Sequence, residues 1–436
     1  MEKTDINEEK RNRAILVGLN AARLKDEDNA SETTLEELEA LLDTAGGECL
    51  AAVLQNREAP DAHTFIGEGK VQEVRELAQN LGADLVVFDN ELSPAQVRVL
   101  TEAVGVQVMD RSALILDIFA QRARTAEGRL QVELAQYQYL LPRLTGMWTH
   151  LTRQNAAGGK SPIGTRGPGE TQLETDRRHI RRKIQKLEQD LQEVRRVRAV
   201  QRDRREKNEV PVVAIVGYTN AGKSTLLNRL TGSEIPANNR LFDTLDTTTR
   251  TLELSDTCTV LLSDTVGFIR KLPHHLVRAF RATLEELEYA DLLLHVIDFS
   301  SPEWSAQAEV VDRLIRDLGA QQTPCIRVYN KCDLFSPDIR PHGEDVVCIS
   351  AKTGEGLEEL TAAVAKRLDS GTKRVTLKIP YDQGGLVDRL YREAKVESVD
   401  YAEAILVTAV CTPKTLGQVR QFCDPPLPEE KEPWEL

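Results

Sequence analysis

One stretch near the middle of the chain constrains the fold more than any other. An apolar run, Val212–Val216, has the length of a buried strand, and the loop after it reads G-x-x-x-x-G-K-S from Gly217 to Ser224. The backbone N–H groups of such a loop point inward around phosphate groups, and the next helix adds partial positive charge at its N-terminus. The stretch therefore predicts a phosphate-binding loop between a strand and a helix.

The composition places this loop in a multidomain globular protein. A length of 436 residues, 41% of them hydrophobic, leaves room for about two to four domains. The N-terminus lacks the apolar core of a signal peptide, and no apolar run is long enough to span a membrane. Seven scattered cysteines without a C-x-x-C motif predict a reducing, cytoplasmic setting, with neither disulfides nor zinc.

The first third of the chain alternates between strand-like and helix-like patterns. Strands are predicted at 13–19, 50–54, 85–88 and 106–110, and helices at 33–45, 70–81 and 94–104. Such alternation predicts a small parallel sheet with helical crossovers. The segment Thr64–Lys70 contains two glycines but lacks the spacing of a phosphate loop, so we interpret it as a structural turn.

Long helices are predicted next. Apolar stripes of heptad spacing at 130–144 and 180–194 predict two helices packed side by side and antiparallel. The Gly- and Pro-rich segment 155–170 predicts a flexible loop at the tip of this hairpin. Its Gly159-Lys160-Ser161 lacks the first glycine and the preceding strand of a phosphate loop. The second helix, over 175–207, would be about 50 Å long if unbroken.

Positive charge is concentrated on this helical arm. Residues 177–207 contain 13 Lys/Arg and 5 Asp/Glu, a net charge of +8, whereas the whole chain has −13. A solvated helix face is the ordinary explanation for such a run, but the contrast with an acidic chain favours a phosphate-backbone partner. Because aromatic residues are sparse, structured RNA is preferred to single strands, and nothing indicates DNA. The candidate RNA-binding residues are Lys160, Arg166, Arg177, Arg178, Arg181 and Arg182.

Three further motifs follow the phosphate loop, each after an apolar strand. D-x-x-G begins at Asp264, which can hold Mg²⁺ through water, and ends at Gly267, whose N–H can contact a γ-phosphate. N-K-x-D ends at Asp333, whose carboxylate can accept hydrogen bonds from guanine N1–H and the exocyclic amino group. Ser350–Lys352 supplies a last base-contacting loop. Their order along the chain predicts a Ras-like GTPase domain.

The residues that would complete the hydrolytic site are less regular. Lys223 is expected to contact the outer phosphates and the Ser224 hydroxyl to bind Mg²⁺. One threonine among 244, 247, 248 and 249 should complete the metal shell, and the others are expected to be exposed loop residues. Phe268 follows Gly267, where a Ras-type GTPase has the glutamine that orients the attacking water. Slow unaided hydrolysis is therefore expected, with the missing groups coming from a partner.

Together these motifs make the chain resemble the HflX family, in the Obg–HflX group of translation-factor GTPases. The resemblance rests on G-Y-T-N-A-G-K-S, L-F-x-T-L-D, D-T-V-G-F-I and N-K-x-D, and upstream on F-I-G-x-G-K and G-x-G-E-T-Q-L-E-x-D-R-R, and covers residues 10–370. It implies that Thr244 is the switch I magnesium ligand. The family usually has Ala and Pro where this chain has Asp243 and Thr247, and this difference bears on the rigidity of switch I.

The resemblance also implies binding to the large ribosomal subunit and GTP-dependent splitting or rescue of stalled ribosomes under stress. Mg²⁺ and GTP or GDP are the implied ligands, and the catalytic residues would be Lys223, Thr244 and Gly267. A monomer is expected, associated in the cytoplasm with ribosomes or peripherally with a membrane. The predicted GTP-binding residues are Gly217, Tyr218, Thr219, Asn220, Ala221, Gly222, Lys223, Ser224, Thr225, Phe242, Asp243, Thr244, Leu245, Asp246, Asp264, Thr265, Val266, Gly267, Asn330, Lys331, Cys332, Asp333, Ser350, Ala351 and Lys352.

The predicted architecture is therefore α/β. An N-terminal α/β domain (10–125) precedes the helical hairpin arm (126–208), the GTP-binding domain (209–372), a small α+β domain (373–424) and a disordered acidic tail (425–436). Two alternatives remain open. The first is an anti-association or RNA-remodelling factor that needs GTP binding but no turnover. The second is a GTPase whose partner is purely protein.

Overall fold

The structure is a computed structural model that describes most of the chain. The described residues are 11–25, 28–144, 168–207, 210–233, 241–243, 248–255, 258–272, 276, 287, 289–368, 373–401, 404–411 and 413–424. Some predicted features lie outside them: Lys160, Arg166, Thr244, Leu245, Asp246 and the acidic tail.

The N-terminal region folds around a parallel four-stranded sheet. Its elements are β1 (Arg13–Ala21), α1 (Glu32–Thr44), β2 (Glu48–Arg57), α2 (Glu68–Leu81), β3 (Leu85–Phe88), α3 (Pro94–Val104) and β4 (Gln107–Asp110). The strand order is β2-β1-β3-β4, as expected for strands joined by helical crossovers. Every residue of β3 is buried, because helices cover both faces of the sheet. The predicted parallel sheet is confirmed.

The described residues after this sheet form the helices α4 (Arg111–Arg122), α5 (Ala126–Leu140) and α6 (Pro168–Lys207). α5 and α6 pack through Leu134, Leu187 and Leu191, and Lys183 donates to the Tyr137 hydroxyl at 2.7 Å. The pairing of later α5 residues with earlier α6 residues makes the helices antiparallel, as predicted. The predicted loop was too long, since the helix begins at Pro168. Proline is tolerated there because the first turn has no intrahelical N–H bond to lose.

A six-stranded sheet forms the central region. Its elements are β5 (Val212–Gly217), α7 (Lys223–Thr231), β6 (Thr248–Ser255), β7 (Cys258–Asp264), β8 (Leu292–Asp298), α8 (Trp304–Asp317), β9 (Cys325–Asn330), β10 (Val346–Cys348) and α9 (Leu357–Leu368). The order is β10-β9-β8-β5-β7-β6, and only β6 is antiparallel to its neighbour. Thr248 and Thr249 lie half-buried in β6, so the expectation that they belong to an exposed loop was wrong. They pair with β7, and β-branched residues suit such a strand.

The C-terminal region is a separate antiparallel sheet with two helices. It contains β11 (Lys373–Ile379), α10 (Gly385–Glu393), β12 (Lys395–Tyr401), β13 (Ile405–Cys411) and α11 (Pro413–Val419), with the strand order β11-β13-β12. The predicted α+β character is correct. The sequence predicts strands at 374–380 and 402–410 and a helix at 385–394, but it does not predict β12. Its polar sequence K-V-E-S-V-D-Y has few apolar residues because β12 is an edge strand. Among the described helices, none has the length and apolar character needed to cross a membrane.

Candidate functional site

The phosphate loop lies at the carboxyl end of β5, the strand next to the centre of the sheet. Two of its glycines are required by close approaches. A Cβ at Gly217 would lie 2.3 Å from the Val296 carbonyl oxygen, and one at Gly222 would lie 2.2 Å from Asn330 Nδ2. Gly222 also has a φ of +94°, and Asn220, between them, has a φ of 60°. The loop therefore depends on glycine and asparagine, which tolerate left-handed backbone.

Lys223 begins α7 beneath this loop and is 6% exposed. Its ammonium donates to the carbonyl oxygens of Gly217 (3.1 Å) and Tyr218 (2.7 Å). Burial lowers its pKa to about 8, and the charge of Asp264 only partly opposes that shift. A Cβ on Gly267 would lie 3.0 Å from this ammonium nitrogen. The same Cβ would lie 2.9 Å from Thr219 Cγ2, so the backbone of Gly267 packs directly against the phosphate loop beside this ammonium.

Ser224 and Asp264 supply oxygen atoms close to Lys223. The Ser224 hydroxyl donates to Asp264 Oδ2 at 2.7 Å, and Asp264, the last residue of β7, is fully buried. Mg²⁺ is coordinated by oxygen atoms, some from the protein and the rest from waters and substrate phosphates. A hydroxyl and a carboxylate are suitable protein ligands for it. These two residues fit a magnesium ion. Within the described part of the chain, no group of three or more His, Cys, Asp or Glu side chains could hold a metal.

Asn330 joins the three loops of the site. Its side-chain amide donates to the Ala221 carbonyl oxygen at 2.8 Å, and its side-chain oxygen accepts from the Ala351 N–H at 2.9 Å. One buried side chain at the end of β9 therefore fixes the phosphate loop relative to the loop after β10. Motifs more than one hundred residues apart in sequence are brought to one edge of the sheet.

The other residues predicted to contact the base surround Asn330. Lys331 has a φ of 64°, and its ammonium contacts Asp298 Oδ2 at 2.6 Å, so its stem is held beside the loop. Asp333 follows in a short 3-10 turn with an exposed side chain. Ser350 is buried and accepts from the Thr353 N–H at 3.2 Å, whereas Lys352 is exposed.

Several residues predicted to contact the nucleotide have side chains that contact other protein groups. Tyr218 contacts Glu37, Phe242 packs edge-on against Phe119 at 4.8 Å between ring centroids, and Asp243 lies 3.5 Å from Arg122. The buried Cys332 thiol donates to the Tyr329 carbonyl oxygen at 3.1 Å. Thr265 is also buried, and its hydroxyl donates to the Ile215 carbonyl oxygen at 2.7 Å. Thr219 and Val266 are buried, and Thr225 is half-buried on α7.

Phe268 occupies the position where a Ras-type enzyme has its glutamine, and it is 2% exposed. It belongs to the same apolar cluster as Phe119 and Phe242. Its backbone pairs with the phosphate loop, since Thr219 N–H donates to its carbonyl oxygen at 2.7 Å and its own N–H donates to the Gly217 carbonyl oxygen at 3.1 Å. Phe268 is therefore a packing residue and offers no group to a water.

The N-terminal region also contributes to this site, which was not predicted from the sequence. α1 and α4 lie against Leu241–Asp243, just before Thr244: the Leu241 N–H donates to the Thr44 hydroxyl at 3.3 Å, in addition to the contacts of Phe242 and Asp243. No local pattern in the sequence marks these contacts, because the partners are separated by more than one hundred residues and are ordinary helix positions.

Comparison with protein families gives consecutive matches along the chain. Residues 32–120 match the model described as GTP-binding GTPase N-terminal, and 122–205 match GTP-binding GTPase Middle Region. Residues 212–331 match 50S ribosome-binding GTPase, and 340–410 match HflX C-terminal domain.

Curated relatives are similar over nearly the whole chain. GTPase HflX of Caldanaerobacter subterraneus subsp. tengcongensis is 48% identical over 90% of this chain and 90% of its own length. GTPase HflX of Escherichia coli (strain K12) is 45% identical, with 88% and 89% covered. A solved GTP-binding protein from Sulfolobus solfataricus, in complex with GDP, is 24% identical, with 82% and 98% covered and a TM-score of 0.42.

Proposed function

The chain belongs to the HflX family of GTPases, and from this premise we propose that it binds the large ribosomal subunit and splits or rescues stalled ribosomes under stress. It hydrolyses GTP. The 50S ribosome-binding GTPase model, which matches the domain containing the phosphate loop, supports the ribosome as partner. We further propose that it works as a monomer in the cytoplasm.

The observation that carries the ribosome proposal is the charge of α6. This helix continues for 40 residues, and among its described side chains, those of residues 174–197, Ile180, Leu187 and Leu191 are buried. Arg178, Arg181 and Arg182 are exposed near these buried side chains. A basic helix on an acidic chain favours ribosomal RNA, since neutralising phosphates releases condensed counterions.

The hydrolytic roles follow from the geometry of the site. Lys223 would hold the outer phosphates, the Gly267 N–H would donate to the γ-phosphate, and Asp333 would select guanine. Ser224, with Asp264 through water, would hold Mg²⁺, together with Thr244, which lies outside the described residues. When bound, the ion would neutralise charge on the β- and γ-phosphates. The backbone N–H groups and Lys223 stabilise the charge that develops as water attacks.

A pH dependence follows from the burial of Lys223. Its pKa is about 8 in the free protein, and bound phosphates favour the charged form, which raises that pKa in the complex. Above about pH 8, GTP binding is therefore coupled to the uptake of a proton by Lys223. We expect GTP affinity to be constant from about pH 7 to 8 and to fall by up to about tenfold per unit above it. Fluorescence titration between about pH 7 and 9 measures this, with melting curves as the control, and an unchanged affinity at pH 9 would contradict it.

Neutralising three arginines of the arm tests the RNA interface. The triple variant Arg178→Gln, Arg181→Gln, Arg182→Gln should bind isolated large subunits more weakly at low salt. The slope of log affinity against log salt should become shallower by about 2 to 3, because three phosphate contacts are lost. Co-sedimentation over a salt series, with a non-hydrolysable GTP analogue, provides the measurement.

The matched control removes the same charge from the N-terminal region. Arg23, Arg75 and Arg98 are also exposed, so their triple glutamine variant should keep the wild-type salt slope. Identical slopes for both triple variants would remove α6 as the RNA-binding surface and favour a partner that is purely protein.

A further inference from the structure

A buried cluster of charges joins the N-terminal region to the segment after D-x-x-G. Arg111, the first residue of α4, is 2% exposed. Its guanidinium contacts Glu37 of α1, and it lies 2.8 Å from Asp89 Oδ1, just after β3. The second oxygen of Asp89 contacts the Lys271 ammonium. Two carboxylates thus face two cations, so the cluster is balanced in charge and its geometry depends on all four groups.

The same cluster reaches the phosphate loop through Tyr218. The Tyr218 hydroxyl contacts Glu37 and accepts from the Arg270 backbone N–H at 2.9 Å. Lys271, the next residue, has a φ of 53°, an uncommon backbone conformation for a lysine. Such conformations persist where the surroundings hold them, and here the buried ammonium contact with Asp89 does so.

The five residues from Gly267 to Lys271 are therefore held at both ends. At the first end, the backbone of Phe268 pairs with that of Gly217 and Thr219. At the second end, Tyr218 holds the Arg270 N–H and Asp89 holds Lys271. Gly267 lies at the start of this segment, packed against Thr219 of the phosphate loop and beside the Lys223 ammonium. Its N–H would discriminate between the nucleotides, since GTP carries the γ-phosphate that this N–H would contact and GDP lacks it.

We propose that Glu37 and Asp89 are positioning residues for the GTPase centre: by holding Tyr218 and Lys271 they place Gly267 to receive the γ-phosphate. The N-terminal region thereby contributes to the discrimination between GTP and GDP. This inference rests on the proposed γ-phosphate contact of Gly267 and is independent of the ribosome as partner.

The test compares two affinities in the isolated full-length protein. Glu37→Gln and Asp89→Asn should each weaken binding of a non-hydrolysable GTP analogue by about tenfold or more, since a contact to a charged phosphate oxygen is misplaced. GDP affinity should stay within about twofold of wild type. Glu37→Gln retains a side-chain oxygen for the Tyr218 hydroxyl and should fold, so it decides the test if Asp89→Asn does not melt cooperatively.

Arg143→Met is the matched control for loss of a buried ion pair. Arg143 lies 3.1 Å from the buried Asp110, and its described hydrogen bonds go only to Tyr139, Leu92 and Asp110. The Arg143→Met variant should have a lower melting temperature and an unchanged ratio of GTP to GDP affinity. Equal losses for both nucleotides in Glu37→Gln, an unchanged affinity for the GTP analogue, or a tighter one would each overturn the proposal.

Gly267→Ala separates this inference from the assignment on which it rests. Its Cβ would press against Thr219 and the Lys223 ammonium and displace the Gly267 N–H, so the variant should bind the GTP analogue more weakly and be affected less in GDP binding. If it does so while the Glu37 and Asp89 variants behave as wild type, only the positioning role is wrong. If Gly267→Ala leaves the GTP analogue unaffected, the γ-phosphate contact itself is wrong and the inference is overturned with it.

Discussion

Asp333→Asn is expected to weaken GTP binding by roughly a hundredfold or more and to create affinity for xanthosine triphosphate. The carboxylate accepts hydrogen bonds from guanine N1–H and from the exocyclic amino group. An asparagine would place its own NH₂ group, a donor, against the exocyclic amino group of guanine, which is also a donor. Xanthine carries an oxygen in place of that exocyclic amino group, so the hydrogen bond is restored. A mispaired polar group in a binding site costs about 1–3 kcal/mol, and more when it is charged. Titration with both triphosphates measures the exchange.

The structure gives this experiment a close control. Asp338 lies in the next 3-10 turn, Pro337–Ile339, and its side chain is exposed like that of Asp333. Asp338→Asn should therefore leave both affinities unchanged. The loop of Asp333 is anchored through its neighbour, because Cys332 N–H donates to the Ile349 carbonyl oxygen at 3.0 Å, so the substitution should not alter the backbone. Unaltered GTP binding by Asp333→Asn would show that another residue selects the base.

The sequence could predict the phosphate loop and the base-binding loops because each depends on local chemistry. Gly217 and Gly222 lie where any side chain would collide with Val296 or Asn330. Both positions therefore require glycine, and this pair of glycines can be recognised in the sequence. Parallel strands carry such loops to one edge of the sheet, and the motif order then indicates the domain. The relative position of these loops is fixed by Asn330, a residue the motif itself contains.

The cluster around Asp89 could not be predicted in this way. Glu37, Asp89, Arg111 and Lys271 come from α1, the end of β3, the start of α4 and the segment after D-x-x-G. Each looks like an ordinary charged residue in sequence, and only the packing of two domains shows that they are buried together. For the same reason, the sequence did not show that the side chains of Tyr218 and Phe242 contact the N-terminal region.

The burial of Phe268 connects the site to the need for a partner. Its ring is packed in the apolar cluster with Phe119, so the residue after Gly267 cannot orient a water without unpacking that cluster. The buried amide of Asn330 cannot take over the role of the missing glutamine, because it is bonded to Ala221 and Ala351. Hydrolysis by the isolated protein should therefore be slow.

Purified large ribosomal subunits are accordingly expected to accelerate GTP turnover by about 10³- to 10⁵-fold, the range that partner-supplied groups provide in other GTPases. The gain should appear in kcat, because the missing interaction acts on the transition state and not on GTP binding. Steady-state phosphate release with and without large subunits measures the effect, with isolated small subunits as the control for nonspecific RNA.

The triple variant of Arg178, Arg181 and Arg182 links this acceleration to the basic helix. It should keep the slow intrinsic rate and require more large subunit to reach the same maximal rate, since it changes docking and leaves the nucleotide site intact.

Lys223→Ala, in contrast, should abolish turnover at any subunit concentration. If Lys223→Ala still splits ribosomes at high GTP concentration, turnover is dispensable and the protein acts as a nucleotide-gated anti-association factor. Tight GTP binding without any acceleration by large subunits would reject the ribosome as the activating partner.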